Sequence, residues 1–111
     1  MDVWRSPSNR TAVVSPAGEL DLATSGELRT ALLQACEGSR LVLVDLVAVT
    51  FLDSTALGVL VGAQKRCQSN GAQLLVINAT GICLKVLRVT GLGGLISDEP
   101  LPADLAMLQD D

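Results

Sequence analysis

The chain contains no histidine and no tyrosine, and its only aromatic residues are Trp4 and Phe51. Without imidazole there is no histidine general base, zinc ligand, pH switch or phosphoryl carrier, which excludes most hydrolase designs that pair a nucleophile with histidine. Two rings in 111 residues are too few for the stacking platform on which single-stranded nucleic acid is read, and a net charge of -4 opposes a polyanion. Nucleic acid is therefore not an expected partner. Cysteine is scarce as well. Cys36, Cys67 and Cys83 are far apart and form no CxxC pair, so they read as buried free thiols, with neither a disulfide framework nor a zinc site. Long apolar runs are missing: the longest stretch of apolar residues and glycine, Ala56 to Ala63, is far below the roughly 20 residues that a bilayer-spanning helix needs. The opening Met1-Asp2-Val3-Trp4-Arg5 is not a basic segment followed by an apolar one, so neither export nor membrane insertion is expected and the predicted location is the cytoplasm.

What is present suits one compact domain. With 111 residues and 49% hydrophobic positions, the chain can bury a core without disulfide or metal support. Five of its twelve acids and none of its eight bases lie after residue 97, so the acidity belongs mostly to residues 98–111, read as a short surface helix and solvated tail. Val3 to Arg5, Thr11 to Ser15 and Gly18 to Asp21 read as short strands separated by Pro7 and by the Pro16-Ala17-Gly18 turn. Leu28, Ala31, Leu32 and Ala35 then recur at helical spacing, with Thr24 or Ser25 as N-cap and Gly38 as terminator. Leu41 to Leu46 is a nearly all-apolar, β-branched run, the signature of a central strand covered on both faces. A second helix runs from Asp53-Ser54-Thr55 to Asn70-Gly71, with Leu57, Leu60, Val61, Gln64 and Cys67 on one face and Lys65 and Arg66 near its C-terminus. Ala72 to Ile77 reads as another buried strand, and Cys83, Val86, Leu87 and Thr90 as a shorter helix closed by Gly91-Leu92-Gly93-Gly94. Leu95-Ile96 is read as a short edge strand and Pro102 to Leu108 as a last helix. The sum is an α/β domain whose mixed, mainly parallel sheet has about five strands and about four helices.

In open parallel sheets functional groups gather beyond the carboxyl ends of strands, at the following helix N-termini. Here Asp53-Ser54-Thr55 holds that place. A serine hydroxyl there lies near unpaired backbone N–H groups and the positive end of the helix dipole, a position that tolerates an anion. Phosphorylation would add about -1.5 to -2 charges at pH 7, next to the like charge of Asp53, which favours repulsion of a docked partner over inward folding of the loop. The same three residue types are also ordinary helix caps. Asp21, at the end of the Gly18-Glu19-Leu20 strand, is placed near the same rim; with Asp53 it makes a pair of carboxylates without the further oxygen ligands a magnesium site requires. Asp53-Ser54-Thr55-Ala56 is not the G-x-S-x-G nucleophile elbow. Gly58 and Gly62 form a GxxxG spacing, read as letting the helix approach the sheet closely. No cofactor motif is present, since the Gly91-Leu92-Gly93-Gly94 run follows a helix instead of opening one.

Taken together, Leu41-Val42-Leu43-Val44-Asp45-Leu46, Gly18-Glu19-Leu20-Asp21, Phe51-Leu52-Asp53-Ser54-Thr55-Ala56-Leu57-Gly58, Lys65-Arg66 and Val89-Thr90-Gly91-Leu92 resemble the STAS family, and more narrowly its stand-alone bacterial anti-sigma factor antagonists. The resemblance spans about residues 10 to 97. It implies a binding protein and not an enzyme: the unphosphorylated antagonist captures an anti-sigma factor that is also a serine kinase and so frees a sigma factor for transcription, phosphorylation releases it, and a phosphatase restores it. Ser54 matches the phosphorylated serine. Asp53 matches the acidic residue expected to orient that hydroxyl, Asp21 the aspartate of the neighbouring loop, and Thr55, Ala56, Leu57 and Gly58 the partner-binding rim. Ala56 departs from the family's usual glycine. The alternative that the resemblance implies is a non-switching STAS scaffold, or a soluble STAS component of a lipid or anion transport assembly.

Overall fold

A computed structural model describes residues 1–7, 9–103 and 105 of the chain. Six strands are seen, β1 (Val3–Arg5), β2 (Thr11–Val14), β3 (Ala17–Leu20), β4 (Leu41–Asp45), β5 (Ala48–Leu52) and β6 (Gln73–Ile77), with three α-helices, α1 (Ser25–Cys36), α2 (Ser54–Ser69) and α3 (Gly81–Val89). The main sheet has the order β1-β2-β4-β6: β1 is antiparallel to β2, and β2, β4 and β6 are parallel. The fold class is the α/β domain that the apolar runs predict, with β4 inside the sheet.

The alternation of side chains along the strands sorts the core into two layers. Ala12, Val14, Val42, Val44, Leu74 and Val76 face α1 and α2 together with Leu28, Leu32 and Leu60, all but fully buried. Val13, Leu43 and Ile77 face the other way and are covered by Trp4, Leu101 and Leu105. Both faces of β4 are thus enclosed, which is why its sequence carries no polar alternation before Asp45.

Four expectations are corrected. A fifth chain segment, Ala48–Leu52, is a strand that the sequence does not announce, because Val47 to Leu52 mixes apolar and polar residues without a clean period; it pairs in parallel with β3 in a separate two-stranded sheet. Leu95-Ile96 is not an edge strand: Gly93–Leu95 is a single 3-10 turn, and Ile96 makes one parallel bridge to Val76. Of the predicted α2 face Leu57, Leu60, Val61, Gln64 and Cys67, only Leu60 and Cys67 are fully buried; the buried stripe is Ala56, Val59, Leu60, Ala63 and Cys67, because the small Ala56 and Ala63 are turned inward. Gly58 and Gly62 accordingly face solvent; a Cβ added at either would meet nothing within 4 Å.

The fourth correction concerns cysteine. Cys36 and Cys67 are joined by a disulfide, their Cα atoms 5.4 Å apart across 31 residues of sequence. Each is the last buried position of its helix, α1 and α2, and the packing of the two helices on one sheet face brings them together, a proximity that spacing along the chain cannot reveal. Cys83 is a free buried thiol, as expected, and burial pushes its pKa up, which keeps it protonated and inert. Ala103 and Leu105 are helical, while the remainder of the predicted Pro102 to Leu108 helix and of the acidic tail lies largely outside the described residues. Among the described residues no helix is long and apolar enough to cross a membrane.

Candidate functional site

The small β3–β5 sheet is what assembles the site. Its register shifts at Gly18, so that Gly18 pairs with Val49 but Glu19 pairs with Phe51 and Leu20 with Leu52. Gly18 sits at φ +76°, a left-handed conformation that costs glycine little and other residues more. Past the shift, Leu20 and Leu52 point together into the core, and the residues that follow them, Asp21 and Asp53, leave the two strands side by side. A backbone bond from Asp53 N–H to the Leu20 carbonyl, 3.0 Å, locks the two strand ends in that relation.

Asp53 starts α2, and Asp21 holds the turn that precedes α1. Asp53 is the N-cap of α2, in extended conformation, and its Oδ1 accepts the Ala56 N–H at 2.9 Å. The Asp21 Oδ1 accepts the Thr24 N–H at 3.2 Å, while the Asp21 N–H donates to Thr24 Oγ1 at 3.0 Å, a reciprocal arrangement around the start of α1. The Asp53 carboxylate is therefore engaged in helix capping, and the Asp21 carboxylate in the turn that leads to Thr24, the N-cap of α1. Removing the cap, Asp53→Ala, should cost about 1 kcal/mol of stability, read as a lower denaturant midpoint at unchanged slope, whereas Asp53→Asn should retain most of it.

Ser54 is the first residue of α2. It is exposed, and among the described residues its hydroxyl has no hydrogen-bond partner; the Asp53 carboxylate caps the helix and does not bond to it. The expected orientation of the hydroxyl by Asp53 is thus absent from this geometry. Thr55 and Leu57 are half-buried, with Leu57 packed against the core, and Gly58 is exposed. Ala56 has no accessible surface at all, so its side chain is part of the core and not of a surface rim. Its backbone has no positive φ and its methyl group is enclosed by the core, so alanine meets no steric objection at this position.

Other contributors to this surface are not apparent from residue types. Leu22, beside Asp21, is 74% exposed and Phe51, two residues before Asp53, is 42% exposed, so large apolar side chains flank the carboxylate pair. Phe51 is set by its pairing with Glu19 in the β3–β5 sheet and Leu22 by the turn that follows β3, neither of which the sequence displays. Asp45 is a buried positioning residue. Its Oδ1 accepts from the Val47 N–H at 3.0 Å and from Asn78 Nδ2 at 2.9 Å, tying the β4–β5 and β6–α3 connections together while Asn78 adopts a φ of 59°. An acid closing an otherwise apolar strand is the signal that marks it.

Comparison with known proteins accords with this geometry. The STAS domain model matches residues 6–106. An anti-sigma-B factor antagonist of Listeria monocytogenes is 35% identical over 82 residues, covering 72% of this chain and 71% of that protein. The anti-sigma-B factor antagonist of Staphylococcus aureus is 33% identical over 84 residues, covering 75% and 78%. Among solved structures, the anti-sigma factor antagonist SpoIIAA in its unphosphorylated form superimposes with a TM-score of 0.76 over 99% of this chain and 98% of that one, at 18% identity, which speaks to the fold alone. The match across nearly the whole length, on a fold that sets Asp21 beside Asp53 and Ser54 at the head of α2, shows that this chain belongs to the STAS domain family.

Proposed function

We propose that this chain is an anti-sigma factor antagonist that works by partner switching. In its unphosphorylated form it binds an anti-sigma factor with serine kinase activity, frees a sigma factor and so permits transcription in the cytoplasm; phosphorylation of Ser54 releases it, and a phosphatase resets it. The chain is the substrate of this chemistry and not its catalyst. The observation that carries the reading is the exposed, unpartnered hydroxyl of Ser54 at the start of α2. The names of the relatives supply the class of partner.

The geometry supports a switch by charge. A phosphate on Ser54 gains from the positive end of the α2 dipole, so the fold tolerates it. It would also stand beside Asp53 and near Asp21, concentrating negative charge on a surface that otherwise offers apolar Leu22 and Phe51 to a partner. Asp21, Asp53, Thr55, Leu57 and Gly58 border the hydroxyl and form the proposed contact rim; Ala56 contributes only from beneath. The test is gel filtration of the chain with its anti-sigma factor before and after ATP. A complex that forms without ATP and dissolves as Ser54 is phosphorylated is the expected result. A complex indifferent to phosphorylation would leave a constitutive scaffold.

A further inference from the structure

A groove of about 410 Å³ runs between α1 and α2, lined by Arg29, Leu33, Val59, Gly62, Lys65 and Arg66. Its three cations are exposed, and among the described residues none of their side chains has a salt bridge or hydrogen bond. α2 holds no acidic residue. Leu33, on the α1 side, is 38% exposed, while Val59 forms the floor at 4%. Cations that no acid among the described residues answers, set around an apolar furrow, form a surface with an unmet complement.

Two glycines sharpen what that complement is. Gly58 and Gly62 lie on the outward side of α2, each with open space where a Cβ would be and neither at positive φ. Glycine inside a helix is destabilising relative to alanine, and here neither backbone conformation nor internal packing calls for it. With Arg66 they form a row spaced four residues apart, so this part of the outer surface of α2 is a shallow channel that ends at the cations. Such a channel admits close approach by another backbone.

We propose that this groove docks an acidic, amphipathic helix of a partner protein, its apolar stripe on Leu33 and Val59 and its carboxylates on Arg29, Lys65 and Arg66. The described part of the chain's own acidic segment is a poor occupant, because Leu101 and Leu105 pack on the opposite face of the sheet, where Asp98 and Glu99 border a separate cavity. A membrane surface or a nucleic acid fits less well than a helix, since the apolar floor lies between two helices and the chain as a whole carries a net charge of -4. The inference is independent of Ser54: Gly62 is about 12 Å along the helix axis from it.

The test uses the full, oxidised, isotope-labelled chain and a capped synthetic peptide of about four helical turns, with leucines on one face flanked by glutamates. Controls are the same peptide with lysine for glutamate, a version with scrambled leucines, and vesicles of phosphatidylcholine with phosphatidylglycerol. Saturable amide shifts confined to the α1–α2 groove, weakened about tenfold or more by Arg29→Glu with Arg66→Glu and reduced by high salt, are expected. Gly62→Ala should raise the melting temperature by about 4 °C while weakening the peptide by severalfold, a combination that loss of folding cannot produce. Ser54→Asp should leave peptide binding within about twofold, so failure of the switch and failure of the groove are read separately. The proposal is overturned if the glutamate peptide gives no saturable shifts, if shifts map to Leu22 and Phe51 instead, if the lysine or scrambled peptide binds as well, or if only the vesicles bind.

Discussion

Ser54→Asp should loosen the complex with the anti-sigma factor by roughly 30- to 5,000-fold, equivalent to about 2–5 kcal/mol, while Ser54→Ala should bind within about threefold of the parent and accept no phosphate. The size follows from what each change does at the start of α2. Alanine removes a hydroxyl that makes no hydrogen bond within the described chain, so the free protein loses nothing and the complex loses at most one contact. Aspartate places a carboxylate next to Asp53 and near Asp21, on a surface where docking would exclude the water that screens it. The helix dipole keeps the variant folded, so melting temperature should move by no more than about 2 °C while affinity collapses. Calorimetric titration of both variants against the purified anti-sigma factor reads the difference. Equal, tight binding by the two would remove charge at Ser54 from the mechanism.

Reduction of the Cys36–Cys67 disulfide should cost the chain about 3.7 kcal/mol and lower its melting temperature by about 15 °C. The figure comes from the 31-residue separation closed by the bond, which restricts the unfolded chain. Both sulfurs are buried where α1 meets α2, so a reductant reaches them only as the helices part. Scanning calorimetry with and without dithiothreitol tests this, with Cys36→Ala plus Cys67→Ala as the chemical equivalent and Cys83→Ser as the control that should leave the difference intact. Alkylation of the unfolded, unreduced protein should label Cys83 alone. Labelling of all three cysteines, or a melting temperature indifferent to reductant, would show that the bond does not form.

The readable parts of the fold are those governed by a local period. Leu28, Ala31, Leu32 and Ala35 locate α1 because a helix must turn one stripe inward, and Leu41 to Asp45 locates an interior strand because two covered faces leave no room for alternation. The unreadable parts depend on how elements meet. β5 lacks its own period and exists through its pairing with β3; the disulfide exists through α1 packing on α2; and the outward turn of Gly58 and Gly62 follows from Ala56 and Ala63 taking the inner positions. The site divides in the same way. Capping residues ahead of an apolar helix mark Asp53 and Ser54, and the aspartate closing a strand marks Asp21, yet their adjacency is set by the shifted register at Gly18. Phe51 is exposed on the strand paired past that shift and Leu22 in the turn beyond β3, and no property of the isolated residues carries either exposure.

The proposed switch is tested most directly by incubating the chain with its anti-sigma factor kinase and ATP, then mapping any modification by intact mass and peptide fragmentation. One phosphate, on Ser54, absent from Ser54→Ala and accompanied by release of the partner, is the predicted result. Phosphate on Thr55 or elsewhere, or none from a kinase that modifies another antagonist in the same assay, would contradict it.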